Sequence, residues 1–165
     1  MLSPSEFLAY VRDLNLGQSA LALVNSVRYG ADGKAAPPVR RVDSHAGNSN
    51  VRYPSQKMGF VVDCESGRAE YYAALNFEHD PDVHEYYSQP ATLKLHYTSG
   101  AGRSLTVTHT PDFLVLRCRS VEFVECKTVD GLEKQAQAHR QDSVRLETLR
   151  QDGDTNGFVL RLFGW

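Results

Sequence analysis

The sequence has few cysteines and no long apolar run. Its three cysteines, Cys64, Cys118 and Cys126, form neither a CxxC pair nor an even set, so we expect small buried apolar side chains in a reducing compartment. No apolar stretch approaches the length of a membrane span, and the first residues lack the basic and apolar segments of a signal peptide. We therefore expect a soluble, cytoplasmic protein.

A strong charge of either sign is also missing. The formal net charge is −2 over 165 residues, which argues against a bulk electrostatic attraction to nucleic acid. The charges are unevenly distributed, however. Residues 28–57 carry six Lys or Arg against two acids, and residues 61–90 carry seven acids against one Arg. A metal-assisted phosphodiesterase needs an acidic cluster beside a basic segment, although chance often produces the same pattern.

The length and the 41% hydrophobic content predict one globular unit. Within it, residues 1–38 are expected to form a helical extension packed on a main domain of residues 39–165. Ser3, Pro4 and Glu6 predict a capped first helix ending near Gly17. Residues 20–27 predict a second helix.

The main domain is predicted to alternate strands and helices. A helix is expected over residues 66–77, with Tyr72 on its buried side and a stop at Asp80-Pro81. A last helix is expected over residues 132–149. The predicted strands are 39–42, 51–53, 59–62, 83–87, 92–97, 105–108, 113–116, 121–126 and 158–163. This order predicts an α/β fold with a mixed sheet flanked by helices.

The most informative residues are the acid in Pro111-Asp112 and the later Glu125-Cys126-Lys127. Asp112 stands at the start of an apolar strand. Glu125 and Lys127 are two apart on the next strand and therefore share one face. If the two strands pair as a hairpin, the three side chains converge at one end of the sheet. Two carboxylates there could bind Mg²⁺, and the lysine could orient a water or neutralise charge on a phosphate.

A plainer interpretation also fits these few residues. Asp112 could cap the turn after Pro111, and Glu125 and Lys127 could form a solvated pair on an edge strand. On this motif alone the plainer interpretation is favoured, because such short patterns occur by chance.

A wider set of motifs resembles the TnsA-type transposon endonucleases, a family of the PD-(D/E)xK nucleases. The motifs occur in the family's order over roughly residues 40–127. They are Glu65-Ser66-Gly67-Arg68-Ala69-Glu70, Ala74-Leu75, Asp80-Pro81-Asp82-Val83, Gln89-Pro90, Thr110-Pro111-Asp112-Phe113-Leu114-Val115 and Glu125-Cys126-Lys127. The resemblance implies a restriction-endonuclease-like fold, with residues 39–165 as the nuclease domain. The two N-terminal helices lie outside the resemblance and are expected as additions to that fold.

The resemblance also implies the site. By position, Glu70, Asp112, Glu125 and Lys127 match the family's catalytic residues. Mg²⁺ or Mn²⁺ would be held by the three carboxylates and the backbone carbonyl of Cys126. Glu65 is a rival for the helix carboxylate, and Glu70 is preferred for its distance from Asp80-Pro81.

Other candidates have weaker support. The basic segment offers four possible phosphate contacts, and a solvated basic loop is as good an explanation of them: Arg40, Arg41, Arg52 and Lys57. The six histidines have no zinc-binding spacing. His109, three residues before Asp112, could approach the site.

The resulting hypothesis is a Mg²⁺-dependent endodeoxyribonuclease that cuts DNA at transposon ends in a prokaryotic nucleoid. The resemblance implies a transposase as partner and an ATPase as a further regulator. Two alternatives stay open: a free-standing nuclease of defence, restriction or repair, and a DNA-binding or assembly module without catalysis. Because the net charge is low, we expect the isolated chain to bind DNA weakly.

Overall fold

The computed structural model describes residues 1–29, 35–39, 50–98 and 102–128, together with the backbone of 158–164. Helix α1 spans Pro4–Asp13, and its predicted capping box is confirmed: the Ser3 hydroxyl accepts from the Glu6 N–H, and the Glu6 carboxylate accepts from the Ser3 N–H. Helix α2 spans Gln18–Arg28. Both helices bury apolar side chains in the core shared with the rest of the chain, among them Phe7, Tyr10, Val24 and Val27.

The central sheet has four strands in the order β3-β6-β7-β8. Strand β3 is Val83–Ser88, β6 is Phe113–Arg117, β7 is Ser120–Lys127 and β8 is Phe158–Gly164. The pairs β3–β6 and β6–β7 are antiparallel, whereas β7–β8 is parallel. The sheet is therefore mixed, as predicted, and its β6–β7 hairpin is the one expected from the sequence.

Two further hairpins lie outside the central sheet. Strands β1 (Val51–Ser55) and β2 (Phe60–Cys64) pair antiparallel, as do β4 (Leu93–Thr98) and β5 (Ser104–His109). The combination of a mixed sheet, hairpins and flanking helices is the predicted α/β class and is consistent with a restriction-endonuclease-like fold.

Helix α3 spans Ala69–His79 and ends at Asp80, so the predicted stop at Asp80-Pro81 is confirmed. Its buried residues are Ala69, Glu70, Ala73, Ala74 and Phe77. Tyr72 is 50% exposed, so its predicted place on the buried side was wrong. The helix instead turns a carboxylate, Glu70, inward near its first turn.

Some of the other predictions were wrong or concern residues outside the described ranges. Cys64 and Cys126 are buried, but Cys118 is exposed in the turn after β6, which the expectation of three buried cysteines missed. Residues 40–42 of the predicted first strand and the helix predicted over 132–149 lie outside the described residues. The boundary between residues 38 and 39 stays a prediction. No helix in the described ranges has both the length and the apolar composition to cross a membrane.

Candidate active site

The β6–β7 hairpin positions two of the predicted site acids. Phe113 pairs with Val124, so Asp112 and Glu125 lie opposite each other at the next position and share a face. The Asp112 carboxylate is anchored there, because its Oδ2 accepts a hydrogen bond of 2.6 Å from the backbone N–H of Cys126. The backbone carbonyl of Asp112 in turn accepts from the Gln89 N–H at 2.8 Å, which connects the start of β6 to the end of β3.

Glu125 contacts two nitrogen-bearing side chains. Lys127 Nζ donates to Glu125 Oε1 at 2.5 Å. Nε2 of His109 lies 3.2 Å from Oε2 and forms an ion pair with it if the imidazole is protonated. Oε2 is buried and has no well-aligned hydrogen bond among the described residues. Burial raises the pKa of Glu125, but His109 and Lys127 together outweigh burial and hold that pKa below its ordinary value.

Glu70 approaches the same end of the sheet from helix α3. Its side chain is only 6% exposed, and its Oε2 accepts from the backbone N–H of Glu65 at 2.8 Å. Burial, and then the charge of Asp112, raise the pKa of Glu70 to about 7. Of the two rival acids, Glu70 is buried and Glu65 is half-buried.

The pKa of Asp112 is raised for the same kinds of reason. Burial, and then the charge of Glu125, raise its pKa to about 6, although the Cys126 N–H and the cations of Lys127 and His109 oppose the rise. Burying like charges near one another disfavours the ionised forms. The acids thus lie close enough to repel one another without any arginine to compensate them in the contacts described.

The arrangement is not a closed metal cage. Within the described residues, no three Asp, Glu, His or Cys side chains are close enough together to hold an ion as they stand. Glu125 instead faces Lys127 and His109. An ion would therefore have to draw Glu125 away from one of these two partners, or be held by fewer carboxylates.

Two of the four predicted phosphate contacts, Arg52 and Lys57, have protein partners. Arg52 pairs with Asp63 across the β1–β2 hairpin at 3.3 Å. Lys57 Nζ donates to the backbone carbonyls of Phe77 and Asp80, at 2.6 and 2.7 Å, and so caps the C-terminal end of α3. Arg40 and Arg41 lie outside the described residues. DNA contact by these four side chains stays a prediction.

A comparison with known protein families identifies the family of the segment that contains the β6–β7 hairpin. A family model described as TnsA-like endonuclease N terminal matches residues 80–152. Residues 80–152 belong to the TnsA-like endonuclease family. The family predicted from the motifs is thereby confirmed, and the chain carries a TnsA-type nuclease domain. No curated protein matches the chain.

The TnsA-like segment includes strands β3 to β7 and with them Asp112, Glu125 and Lys127, whereas Glu70 precedes it. Two residues near the site had little support from the sequence. His109 was recognised only by its position three residues before Asp112. Gln89 was noted only as part of a motif, yet it is 3% exposed, has a φ of 43° and buries an Oε1 without a partner among the described residues.

Proposed function

We propose that this protein is a metal-dependent DNA endonuclease that hydrolyses a phosphodiester bond at transposon ends together with a transposase. One observation carries the proposal. Two acids of the candidate site, the buried Glu70 and the half-buried Asp112, which is fixed by the Cys126 N–H, have raised pKa values and no arginine partner among the described residues. Such an arrangement is costly for the protein alone and suits a site that receives a cation.

The residues fit a Mg²⁺ or Mn²⁺ ion. The carboxylates of Glu70, Asp112 and Glu125, with the backbone carbonyl of Cys126, would supply the hard oxygen ligands that these ions prefer. The Oε2 of Glu125 would become a ligand atom if the ion displaced His109, whose Nε2 lies 3.2 Å from it. When bound, the ion would acidify a water molecule and offset negative charge on the phosphate.

The protein's own groups account for the remaining chemistry. Lys127 is a compact cation on the same face as Glu125, where its ammonium can neutralise charge that develops on the phosphate oxygens or orient the attacking water. The Cys126 N–H fixes the Asp112 carboxylate. Lys127 acts on the transition state, so its removal should slow cleavage more than it weakens DNA binding.

Delivery of the DNA is assigned to partners. A chain with a net charge of −2 attracts DNA weakly over long distances. A DNA-binding transposase would bring the transposon end to the site, and an ATPase is the further regulator that the family suggests. The work would take place at the nucleoid in the cytoplasm.

The proposal is tested with supercoiled plasmid carrying a transposon end. Wild-type protein, Asp112→Ala and Asp63→Ala are compared with Mg²⁺ or Mn²⁺, with and without a transposase that binds the same transposon end. Asp63 is the matched control, because it is an acid on β2 that pairs with Arg52 at the surface. Wild type and Asp63→Ala should cut efficiently only with the transposase, and Asp112→Ala should not cut.

Other outcomes separate the alternatives. Efficient, sequence-specific cleavage by the purified chain alone would favour a free-standing nuclease. DNA recruitment without cleavage under every condition would favour a non-catalytic assembly module.

A further inference from the structure

The backbone adopts an unusual conformation at Gln89, the residue that directly follows β3. Its φ is 43°, in the left-handed region, and the next residue is Pro90. Residues with a side chain rarely adopt this region, and a residue before proline is normally extended. Within the described ranges, the other non-glycine residue with a positive φ is Asn15, in an exposed turn after α1. Asparagine is a common choice in such turns, whereas the conformation of Gln89 is strained.

The Gln89 side chain is also unfavourably placed. It is 3% exposed, and its Oε1 is buried without a hydrogen bond among the described residues. A buried polar oxygen without a partner destabilises a fold relative to an apolar group of the same shape. Gln89 is thus unfavourable for folding in both its backbone and its side chain. Such residues are concentrated at functional sites, where the surrounding structure holds them in place.

The backbone of Gln89 is bonded directly to a site acid. The register of β3, β6 and β7 places Gln89, Asp112 and Glu125 in one row at the end of the central sheet. The Gln89 N–H donates to the Asp112 carbonyl at 2.8 Å, and the Gln89 carbonyl accepts from the Val39 N–H at 3.1 Å. Because φ sets the angle between these two groups, an extended Gln89 could not keep both hydrogen bonds.

Asp112 is therefore held from two sides. The Cys126 N–H on β7 holds its carboxylate at 2.6 Å, and the Gln89 N–H holds its carbonyl. Asp112 immediately precedes β6, so the bond from Gln89 also fixes where that strand begins. A change of conformation at Gln89 would move the backbone that carries the Asp112 carboxylate.

From these contacts we infer that Gln89 is a positioning residue of the nuclease site, whose left-handed backbone places the Asp112 carboxylate for cleavage. The inference rests on the proposed nuclease function and adds a residue that acts through Asp112. Groups that orient a metal-binding carboxylate typically contribute about 10 to 100-fold to metal affinity or activity. A displacement of about 1 Å can lower a rate by about 10²-fold. The backbone conformation of Gln89, and not its amide, should therefore determine the rate.

The test ranks substitutions by their tolerance of a positive φ. Gln89→Val is β-branched and excludes the left-handed region, whereas Gln89→Gly and Gln89→Asn accept it. Gln89→Met keeps the length of the side chain and removes the amide. Asn15→Val is the matched control, because it puts the same residue at the other positive φ, in an exposed turn. Gln89→Ala, in which a single Cβ opposes the conformation, replaces Gln89→Val if that variant does not fold.

Two measurements are made on each variant. In transposase-dependent cleavage with Mg²⁺, Gln89→Val should lower kcat by about 10 to 100-fold without changing KM for the transposon end. It should also raise, by a similar factor, the Mn²⁺ concentration needed for a given rise in melting temperature. Gln89→Gly and Gln89→Asn should recover most of kcat, and Gln89→Met should cut as fast as wild type. Asn15→Val should lower the melting temperature by a few degrees, as Gln89→Val does, and keep the wild-type kcat.

The outcomes separate this inference from the nuclease function. If wild type cuts and Gln89→Val keeps its kcat and its response to Mn²⁺, the positioning role is overturned and the nuclease function stands. A loss of kcat in Gln89→Met and Gln89→Gly alike would assign the role to the amide, and an equal loss in Asn15→Val would assign it to stability. Either result overturns the inference. A wild-type protein that neither responds to Mn²⁺ nor cuts DNA overturns both.

Discussion

Two pairs of acids in the same domain are largely shielded from solvent, but only one pair has arginine partners among the described residues. Glu85 on β3 and Glu122 on β7 are each 0% exposed. Each has an arginine as its partner. Glu70 is buried and Asp112 is half-buried, and the charge of another acid raises the pKa of each: that of Asp112 for Glu70, and that of Glu125 for Asp112.

The first pair forms part of the structural framework. Arg28 donates from Nε and Nη2 to the two oxygens of Glu85, at 2.6 and 2.7 Å, and its guanidinium stacks 3.8 Å from the Phe7 ring centroid. The Leu2 N–H and the Tyr87 hydroxyl complete the hydrogen bonds to Glu85. This network joins both N-terminal helices to the central sheet.

The partner of Glu122 is Arg117, which also pairs with Asp80 at 2.8 Å. Every acid in these two groups has its countercharge supplied by the protein. Glu70 and Asp112, at the other end of the sheet, have no arginine partner among the described residues, and the comparison teaches how to separate framework from site. A buried acid with an arginine serves the fold, and a buried acid without one is a candidate for function.

The largest effect expected from this comparison is on cleavage. Lys127→Met should lower transposase-dependent cleavage by about 10² to 10⁴-fold, because it removes the cation on the face of Glu125. Stability should change by no more than about 1 kcal/mol, since Lys127 is a partly exposed partner. Plasmid nicking and thermal melting measure the two effects. A variant that cuts at the wild-type rate contradicts the role given to Lys127.

The converse prediction concerns the framework. Arg28→Met should destabilise the protein by about 3 to 5 kcal/mol, because it leaves the Glu85 carboxylate buried without its cation. Arg12→Met, at an exposed pair 3.8 Å from Asp13, should change stability by less than about 1 kcal/mol. Denaturant unfolding compares the two variants. Adding Glu85→Gln to Arg28→Met should recover part of the loss, and no recovery would mean that burial of the charge is not the cause.

Local signals explain why so much of the fold could be predicted. The capping box at Ser3 and the stop at Asp80-Pro81 are local and were predicted correctly. The alternation that pairs β6 with β7 is also local, and it brought Asp112 opposite Glu125 as expected. The Arg28–Glu85 network could not be foreseen, because it joins residues far apart in the sequence that carry no motif.

For the candidate site, too, only part of the arrangement could be predicted from the sequence. The sequence predicted that Glu70, Asp112 and Glu125 would converge, and that stays a prediction; the charge of Asp112 raises the pKa of Glu70, and that of Glu125 raises the pKa of Asp112. It did not predict that Lys127 and His109 would both contact Glu125, because the position of His109 depends on how the β4–β5 hairpin packs against the β6–β7 hairpin. Tyr72 was placed wrongly because the buried face of α3 consists of Ala69, Glu70, Ala73, Ala74 and Phe77, and Tyr72 lies outside that face.

The third prediction uses the raised pKa of Glu70. A carboxyl whose pKa is about 7 in the folded state and near 4.5 when unfolded favours folding fully only below pH 4.5, and this contribution is lost as the pH rises through 7. Glu70→Gln cannot ionise and should still accept the Glu65 N–H. It should therefore be more stable than wild type at pH 8 by up to about 3 kcal/mol, with the difference vanishing near pH 4.

Unfolding at several pH values in metal-free buffer measures this difference. Glu78→Gln is the control, because hydrogen bonds from Ser55, Lys57 and Tyr86 hold the pKa of Glu78 below its ordinary value despite burial. That substitution should destabilise the protein at pH 8. If the two substitutions changed the free energy of unfolding equally at every pH, acids with a raised pKa and acids with a lowered pKa could not be distinguished in this way.

The last prediction concerns the binding of a metal ion, which would supply a positive charge beside Glu70 and Asp112. If the acids await a cation, Mn²⁺ or Mg²⁺ should stabilise wild type by mass action, by about 2.7 kcal/mol when the free ion is at 100 times its dissociation constant. Asp112→Asn removes one of the carboxylates with a raised pKa, so the ion should stabilise this variant much less. The ion should stabilise Asp63→Asn, a substitution at the surface, as much as wild type. Thermal melting against ion concentration at pH 8, where the acids are ionised, gives the readout without any need for cleavage. The ion should also reduce the advantage of Glu70→Gln over wild type, because a bound cation offsets the repulsion that the substitution removes. If the melting temperatures of wild type and Asp112→Asn rise equally or not at all, these acids do not bind the ion, and their raised pKa values require another explanation.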